Sequence, residues 1–338
     1  MLAPDSIAAP TRRTGVLLAN LGTPRSPSVA DVRAYLREFL SDPRVVRAPR
    51  AVWLPLLYGI ILPFRAPRSA ELYAKVWGPR GSPLLANSLA QKERLQARLG
   101  ASFQVELCMR YGEPTLRSAV EELRRSGCER AILVPMFPQY SHTTTGSLEE
   151  ALRRITSSPT SALQTTVVPP YFVERAYIRS VAERVRTHLA ERDVGHTVFS
   201  FHGIPLSYVR AGDPYRDQCE ATVQALVAEL GLAEDDWSLV YQSRFGPQAW
   251  LEPLAEARVP ELASRHARVA VVLPGFTADC LETIEEIGIR LRERFLAAGG
   301  EELVVVPALN DSPAWIDALA ELTQRAASGT VSSARPGV

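Results

Sequence analysis

Short apolar runs alternate with amphipathic stretches along most of the chain. Gly15–Asn20, Phe103–Met109, Ala131–Phe137, Thr165–Val168, Thr197–Phe201, Ser238–Gln242, Val269–Leu273 and Glu302–Val306 are compact runs bounded by turn residues, and they read as buried strands. Between them, apolar residues recur at three- and four-residue steps, which predicts helices over Ser82–Leu99, Glu113–Ser126, Leu148–Ile155, Tyr171–Ala190, Tyr215–Leu230, Leu251–Ser264 and Pro313–Arg325. A further helix after Ser28 carries capping-box spacing to Asp31 and stops at Asp42-Pro43. Strands alternating with helices predict an α/β fold of two doubly wound parallel-sheet lobes. The Ser/Pro/Thr-rich stretch Thr156–Ser161 is the candidate linker between them.

Two stretches depart from the alternation. WLPLLYGIILPF, Trp53 to Phe64, is apolar on all sides, is broken by Pro55, Gly59 and Pro63, and is flanked by Arg47, Arg50, Arg65 and Arg68. It is too short to span a bilayer, so taken alone it is either a core segment or an apolar lip, with core the simpler reading. LPGFTADCLETIEEI, Leu273 to Ile287, breaks at Pro274-Gly275 and opens a helix bearing Asp279, Glu282, Glu285 and Glu286. Its apolar residues Leu281, Ile284, Ile287, Leu291 and Phe295 form one stripe, and Asp279, Glu282 and Glu286 stack on another face. Acids in a first turn complement the helix dipole, which accounts for Asp279 and Glu282 but poorly for Glu286. The alternative is a path for a hard cation.

Composition narrows the function classes. The 338 residues are 46% hydrophobic and 22% charged with a net charge of +1, so no whole-protein field favours nucleic acid. Cys108, Cys128, Cys219 and Cys280 are far apart and lack CxxC spacing, which argues against a zinc or iron–sulfur motif and fits a reducing compartment. The N-terminal stretch lacks the apolar region of a signal peptide, and the 328–338 tail reads as disordered. There is neither GxGxxG after a strand nor GxxxxGK[ST], so dinucleotide and P-loop chemistry lack their phosphate cradle.

In doubly wound folds ligands sit beyond the carboxyl ends of the strands. That rule selects Asn20 and Gly22, Arg110 and Tyr111, Gln139–His142, Ser200 and His202, Gln242–Arg244, and Phe276–Glu282. His202, at a strand end before Gly203 and Pro205, is a candidate base, although a lone strand-end histidine is more often structural. His188, His196 and His266 read as surface residues. Arg110 with Tyr111 could clamp a carboxylate and stack a flat ligand, or form a surface ion pair. Trp250 reads as core or as a pocket ring.

LANLGTP (18–24), GSP (81–83), RYGEP (110–114), FPQYSHTTTGS (137–147), FSFHGIP (199–205), YQSRFGPQAWL (241–251) and PGFTADCLETIEE (274–286), in this order and spacing, resemble the ferrochelatase family over residues 14 to 325. The resemblance implies two Rossmann-like lobes around a central cleft: an N-terminal lobe over 14–160 with an apolar lip at 48–68, rejoined by the C-terminal helix 313–327, and a C-terminal lobe over 161–312. It implies a lyase that inserts Fe2+ into a porphyrin with release of two protons, in the last step of haem biosynthesis. By matching position, His202 and Glu282 are the catalytic pair, and His202, Glu282 and Glu286 are the candidate metal-contacting residues. Leu21, Arg65, Arg110, Tyr111, Trp250 and Phe276 match porphyrin-binding positions, with Arg65 placed against a propionate.

The same resemblance turns Trp53–Phe64 into a membrane-facing lip, against the first preference for core. It makes the expected partners a porphyrin, ferrous iron, a membrane surface and an upstream haem-pathway oxidase, with no nucleic acid, and the expected location cytoplasmic with peripheral membrane contact. Two positions depart from the family pattern. Cys280 stands where some relatives have histidine, and His142 stands where cluster-bearing relatives have cysteine. No permanently bound cofactor and no iron–sulfur cluster are therefore expected. Leu21, where coproporphyrin-using relatives tend to carry Tyr, favours protoporphyrin IX over coproporphyrin III. A non-catalytic haem or metal carrier is the alternative from a different class.

Overall fold

The computed structural model describes residues 13–157 and 163–329. Eight strands form two sheets: β1 (Thr14–Gly22), β2 (Phe103–Tyr111), β3 (Arg130–Pro135) and β4 (Gln164–Val167) in one, β5 (His196–His202), β6 (Trp237–Gln242), β7 (Arg268–Val272) and β8 (Glu302–Val305) in the other. The orders are β2-β1-β3-β4 and β6-β5-β7-β8, every pairing is parallel, and the same topology therefore occurs twice. The α/β expectation holds, and strand bounds differ from the sequence reading by a residue or two. Residues 158–161 of the predicted linker, and the predicted tail from residue 330 onward, lie outside the described residues.

Period-two alternation explains the layers. Val16 and Leu18 face one way on β1 and join a core shared by both lobes, which includes Phe199 and Phe201 of β5, Tyr241 of β6, and Trp315 and Leu319 of the Pro313–Ala327 helix. Leu17 and Ala19 face the other way, onto the Leu116–Arg125 and Thr145–Thr156 helices. Val198, Val240, Val269 and Val271 do the same in the second sheet, against Ile287, Leu291 and Phe295. Polar bonds also cross between the lobes. The Gln91 amide donates to the carbonyls of Thr277 and Asn310, both at 2.8 Å, and the Asp213 carboxylate accepts from Ser141 Oγ and the His142 backbone N–H, both at 2.9 Å.

Residues 50–76 form one continuous helix, not the broken segment that Pro55, Gly59 and Pro63 suggest. Arg50–Leu56 passes through a wide π-type turn, Leu57–Ile61, into Leu62–Val76. The N–H of Leu62 reaches back five residues to Leu57, just before Pro63, which has no N–H to offer the preceding turn. The two sequence readings of this stretch each describe one face. Trp53 and Leu57 are 8% and 0% exposed and pack with Tyr35, Tyr73 and Tyr111, so they do not belong to an exposed patch. Val52, Leu56, Tyr58, Ile60 and Phe64 point outward, and Phe64 is 77% exposed. No helix among the described residues is long and apolar enough to cross a membrane.

The reading of His196 as a surface residue is overturned, because its place at the head of β5 puts it 6% exposed under the loops before β6 and β7. Its ring lies 5.0 Å from that of His266, and its Nε2 is 3.1 Å from Ser238 Oγ. Burial lowers its pKa, the neighbouring His266 adds to the effect, Arg258 adds a little, and Asp235 and Asp236 oppose. A base depressed in the folded state binds more protons when unfolded, so its contribution to stability is complete above its ordinary value of about 6.5 and is lost as pH falls below it. The melting temperature should therefore drop as the pH falls below about 6.5. His196→Gln should flatten that slope, and an unchanged slope would remove His196 as its source.

Candidate active site

The carboxyl ends of the strands meet beneath the lip. Leu21 near the end of β1, Tyr111 at the end of β2 and Leu281 after β7 all pack against its inner face. The first of these junctions is tight. Gly22 has φ +116°, and a Cβ there would lie 1.7 Å from the Tyr111 carbonyl oxygen, so only glycine lets β1 and β2 end side by side.

His202 closes β5. Its Nδ1 is 2.7 Å from the carbonyl oxygen of Gly203, and because a carbonyl only accepts, the proton sits on Nδ1 and Nε2 presents its lone pair. The turn behind it is crowded, since a Cβ on Gly203 would meet Gln242 O at 3.1 Å and Trp250 Cε3 at 3.3 Å. Trp250 thus covers the turn that aims the imidazole.

Gln242 stands opposite His202 in the β5–β6 register and is 3% exposed. Its Oε1 accepts from Ser200 Oγ at 2.8 Å, which turns Nε2 toward the acidic helix. There it donates to the Glu282 carbonyl at 3.2 Å and to Glu286 Oε2 at 3.4 Å. Glu286 also accepts from the Ser243 backbone N–H at 2.8 Å and from Ser243 Oγ at 2.5 Å, with Ser243 in the left-handed region at φ 66°. The strand-end rule selects Gln242 and Ser243, but their role as the link between the His202 strand and the acidic helix is not read from the sequence. A polar residue ending an otherwise apolar strand was the available signal.

The acidic helix, Glu282–Leu291, is itself π-type, so its residues do not follow the α-helical wheel. Glu285 is 0% exposed and turned away, with Arg290 Nε at 2.7 Å and Lys75 Nζ at 3.6 Å. Asp279 lies before the helix and leaves the predicted acidic face. Its carboxylate accepts from Thr283 Oγ1 at 2.9 Å, the Ala308 N–H at 3.2 Å and the Asn310 amide at 2.7 Å, tying the loop after β8 to the helix start. Glu282 and Glu286 keep the cleft side. Among the described residues no three His, Cys, Asp or Glu side chains gather as a metal-holding group.

Glu282 is half-buried among neutral groups and one cation. Burial pushes the Tyr35 hydroxyl well up, and the Glu282 charge adds to it; for Tyr73, burial is followed by Tyr35 and then Glu282. The Cys280 thiol lies against Glu282 and is raised by burial first and then by that charge. The cation is Arg65, whose guanidinium pKa is lowered by burial, with Tyr73, Glu282 and Tyr35 opposing. Its Cζ sits 4.0 Å from the Phe245 ring centroid.

Arg110 and Tyr111 are brought together differently from a free clamp. Arg110 ion-pairs Asp42 at 2.5 Å and stands 4.5 Å over the Tyr111 ring, and the Tyr111 hydroxyl donates to Asp42 at 2.8 Å. Burial alone would raise the Asp42 carboxyl, but the Ser147 hydroxyl, the Arg44 N–H, the Tyr111 hydroxyl and the Arg110 charge together hold it below its ordinary value. Tyr111 is 1% exposed, with its ring edge-on to Phe39. Phe276 packs against the core of the second sheet. The structure therefore gathers His202, Trp250, Glu282, Glu286 and Arg65 around Gln242 and the 243–250 loop, while Arg110 and Tyr111 form a neighbouring buried cluster.

The fold is that of chelatases. SirB from Bacillus subtilis with Fe3+ is 12% identical and aligns over 94% of this chain and 97% of its own, with a TM-score of 0.56. The sirohydrochlorin chelatase SirB from Bacillus subtilis subspecies spizizenii, in complex with cobalt, gives a TM-score of 0.54 at 12% identity, over 94% and 96% of the two chains. Curated ferrochelatases are far more similar in sequence. That of Xanthomonas axonopodis pv. citri is 46% identical over 94% of this chain and 99% of its own, and that of Haemophilus influenzae strain Rd is 43% identical over 92% and 97%. With the ferrochelatase family model matching residues 13–327, the chain belongs to the ferrochelatase family, and it is a metal-chelatase enzyme that inserts iron into a porphyrin in haem synthesis.

Proposed function

We propose that the porphyrin is protoporphyrin IX, that the chain acts as a lyase yielding protohaem, and that His202 Nε2 accepts the pyrrole protons. The observation that carries the role of His202 is its fixed tautomer: Nδ1 is committed to Gly203, so the free lone pair lies on the other nitrogen. Metallation replaces two N–H protons of the macrocycle with the incoming Fe2+, so charge balances when both protons leave. The imidazole takes one proton at Nε2 and releases it to bulk water before taking the second by the same route. Glu282 and Glu286 supply hard oxygen donors that hold the hydrated ion beside the ring and exchange for its water. Gln242 ties the backbone of one and the carboxylate of the other to the strand that ends in His202.

Substrate choice follows from the walls of the cleft. Leu21 is part of an apolar cluster with Phe39, Leu54, Ile61 and Leu281. Coproporphyrin III carries additional propionates where protoporphyrin IX has vinyl groups, and carboxylates on this wall would lose water without gaining partners. In this reading Arg65 receives a propionate, Trp250 and Phe276 line the ring, and Arg110 and Tyr111 shape the wall behind it. The enzyme works in the cytoplasm, peripherally on a membrane through the outer face of the lip, where it takes porphyrin from the oxidase that makes it. In this reading it works without an iron–sulfur cluster, because its cysteines are widely spaced and His142 stands at the position where cluster-bearing relatives carry cysteine.

His202→Ala should abolish iron insertion while protoporphyrin still binds, because binding rests on apolar contact and the lost base affects the chemical step. Porphyrin fluorescence followed anaerobically with Fe2+ reads both quantities, and normal turnover in the folded variant would remove His202 from the mechanism. The same assay run with coproporphyrin III tests the substrate assignment.

The acids should separate. Glu282→Gln is expected to lower kcat severely, and Glu286→Gln mainly to raise the apparent KM for iron. Asp279→Asn should act through stability, costing about 1–3 kcal/mol for its disrupted buried hydrogen bonds. Steady-state kinetics beside melting curves check the pattern, and equal small effects at all three positions would contradict it.

Replacing Ile60 and Phe64 with Ser should release the enzyme from phospholipid vesicles, since each exposed side chain contributes up to about 1.5–3 kcal/mol when buried in an apolar phase. Sedimentation with vesicles measures it, and unchanged binding would move the contact elsewhere.

A further inference from the structure

We infer that Phe245 is a positioning residue for porphyrin recognition: its ring holds the Arg65 guanidinium flat so that the edge of the guanidinium is presented to a substrate carboxylate. The inference rests on the proposed role of Arg65 and adds a residue to it.

Arg65 sits half-buried on the inner side of the lip, and burial lowers its pKa. A guanidinium has five N–H donors, and leaving them unsatisfied out of water is costly. Among the described residues no hydrogen bond or ion pair satisfies Arg65, and its one ring contact is Phe245, with Cζ 4.0 Å from the centroid. Arg110, by contrast, spends its donors on Asp42 and Ser147. Arg65 is thus a half-buried cation of this cleft with donors to spare.

A guanidinium lying flat on a ring has its face occupied and its in-plane fork free. That is the geometry in which two parallel N–H···O bonds to one carboxylate form. Phe245 can set this plane because it is not a loose loop residue. Its own carbonyl accepts from Trp250 Nε1 at 2.8 Å, and two residues earlier Ser243 is held by Glu286 through both its N–H and its hydroxyl. The loop thus reaches from the second lobe to the lip, and the ring at its tip is 38% exposed at the cleft mouth. Such a ring would otherwise be an unexplained exposed aromatic.

The test compares binding of protoporphyrin IX and its dimethyl ester in the same detergent, by fluorescence titration, for wild type, Phe245→Leu, Phe245→Trp, Arg65→Met and the double variant Phe245→Leu/Arg65→Met. Phe245→Leu keeps the apolar volume and removes the π face. It should raise the Kd of the free acid roughly three- to thirtyfold, the range expected for a cation–π contact, and leave the ester unchanged. Phe245→Trp should bind like wild type. The double variant should bind the acid no more weakly than Arg65→Met alone, because Phe245 acts only through Arg65. Equal losses for acid and ester in Phe245→Leu, or no loss for either, would overturn the inference while leaving Arg65 in place. If Arg65→Met itself fails to distinguish acid from ester, the carboxylate role of Arg65 falls and the inference falls with it. Melting curves confirm that each variant is folded.

Discussion

One buried amide fixes the relation between the two halves of the chemistry. Gln242 cannot turn freely, because Ser200 Oγ supplies a donor that only its carbonyl oxygen can accept. Its two N–H groups therefore face the acidic helix, where the Glu282 carbonyl and the Glu286 carboxylate take them. The same residue sits in register with His202 on the neighbouring strand. A strand spacing of about 4.8 Å and a buried, fully oriented side chain are stiff constraints, so the His202 imidazole and the Glu282 and Glu286 carboxylates keep their spacing without hydrogen-bonding each other.

The lip illustrates a different economy. A segment apolar on all sides is usually buried on all sides, and a helix buried on one side only usually has a polar outer face. Residues 50–76 do neither. Their inner face, with Trp53, Leu57, Leu62 and Tyr73, roofs the strand ends, and their outer face keeps Ile60 and Phe64 in solvent. In the proposed function, a helix that exposes this apolar surface and also carries Arg65 would couple access to the cleft with contact to an apolar phase.

Much of this was legible in the sequence because parallel sheets advertise themselves. Near-continuous apolar runs fixed all eight strands, and the rule that ligands sit past their carboxyl ends picked out His202, the acidic helix and the Gln242–Arg244 turn. What escaped depended on geometry that residue spacing does not encode. The acidic ladder of Asp279, Glu282 and Glu286 is drawn on an α-helical wheel, whereas Asp279 lies ahead of the π-type helix and is taken by Thr283, Ala308 and Asn310. Tyr35 and Tyr73 carry no chemical signal in the sequence, and only the packing of the lip brings them to Glu282. His196 looked exposed because its neighbours are charged, although strand β5 begins there.

The contrast between the two arginines shows why composition could not rank the candidates. Both sit beside aromatic rings at the edge of the cleft, and in the sequence Arg110-Tyr111 is the more suggestive pair. In the fold, Arg110 faces a carboxylate that Ser147, Arg44 and Tyr111 already hold ionised, so its charge is balanced and its donors are engaged. Moving it to a ligand would strand the Asp42 carboxylate, 6% exposed, and breaking a buried pair in that way costs several kcal/mol, about 3–5. Arg65 faces no such loss, because among the described residues no hydrogen bond or ion pair engages its fork. A binding charge must be desolvated enough to attract and unpaired enough to be spent, and of the two only Arg65 meets both conditions.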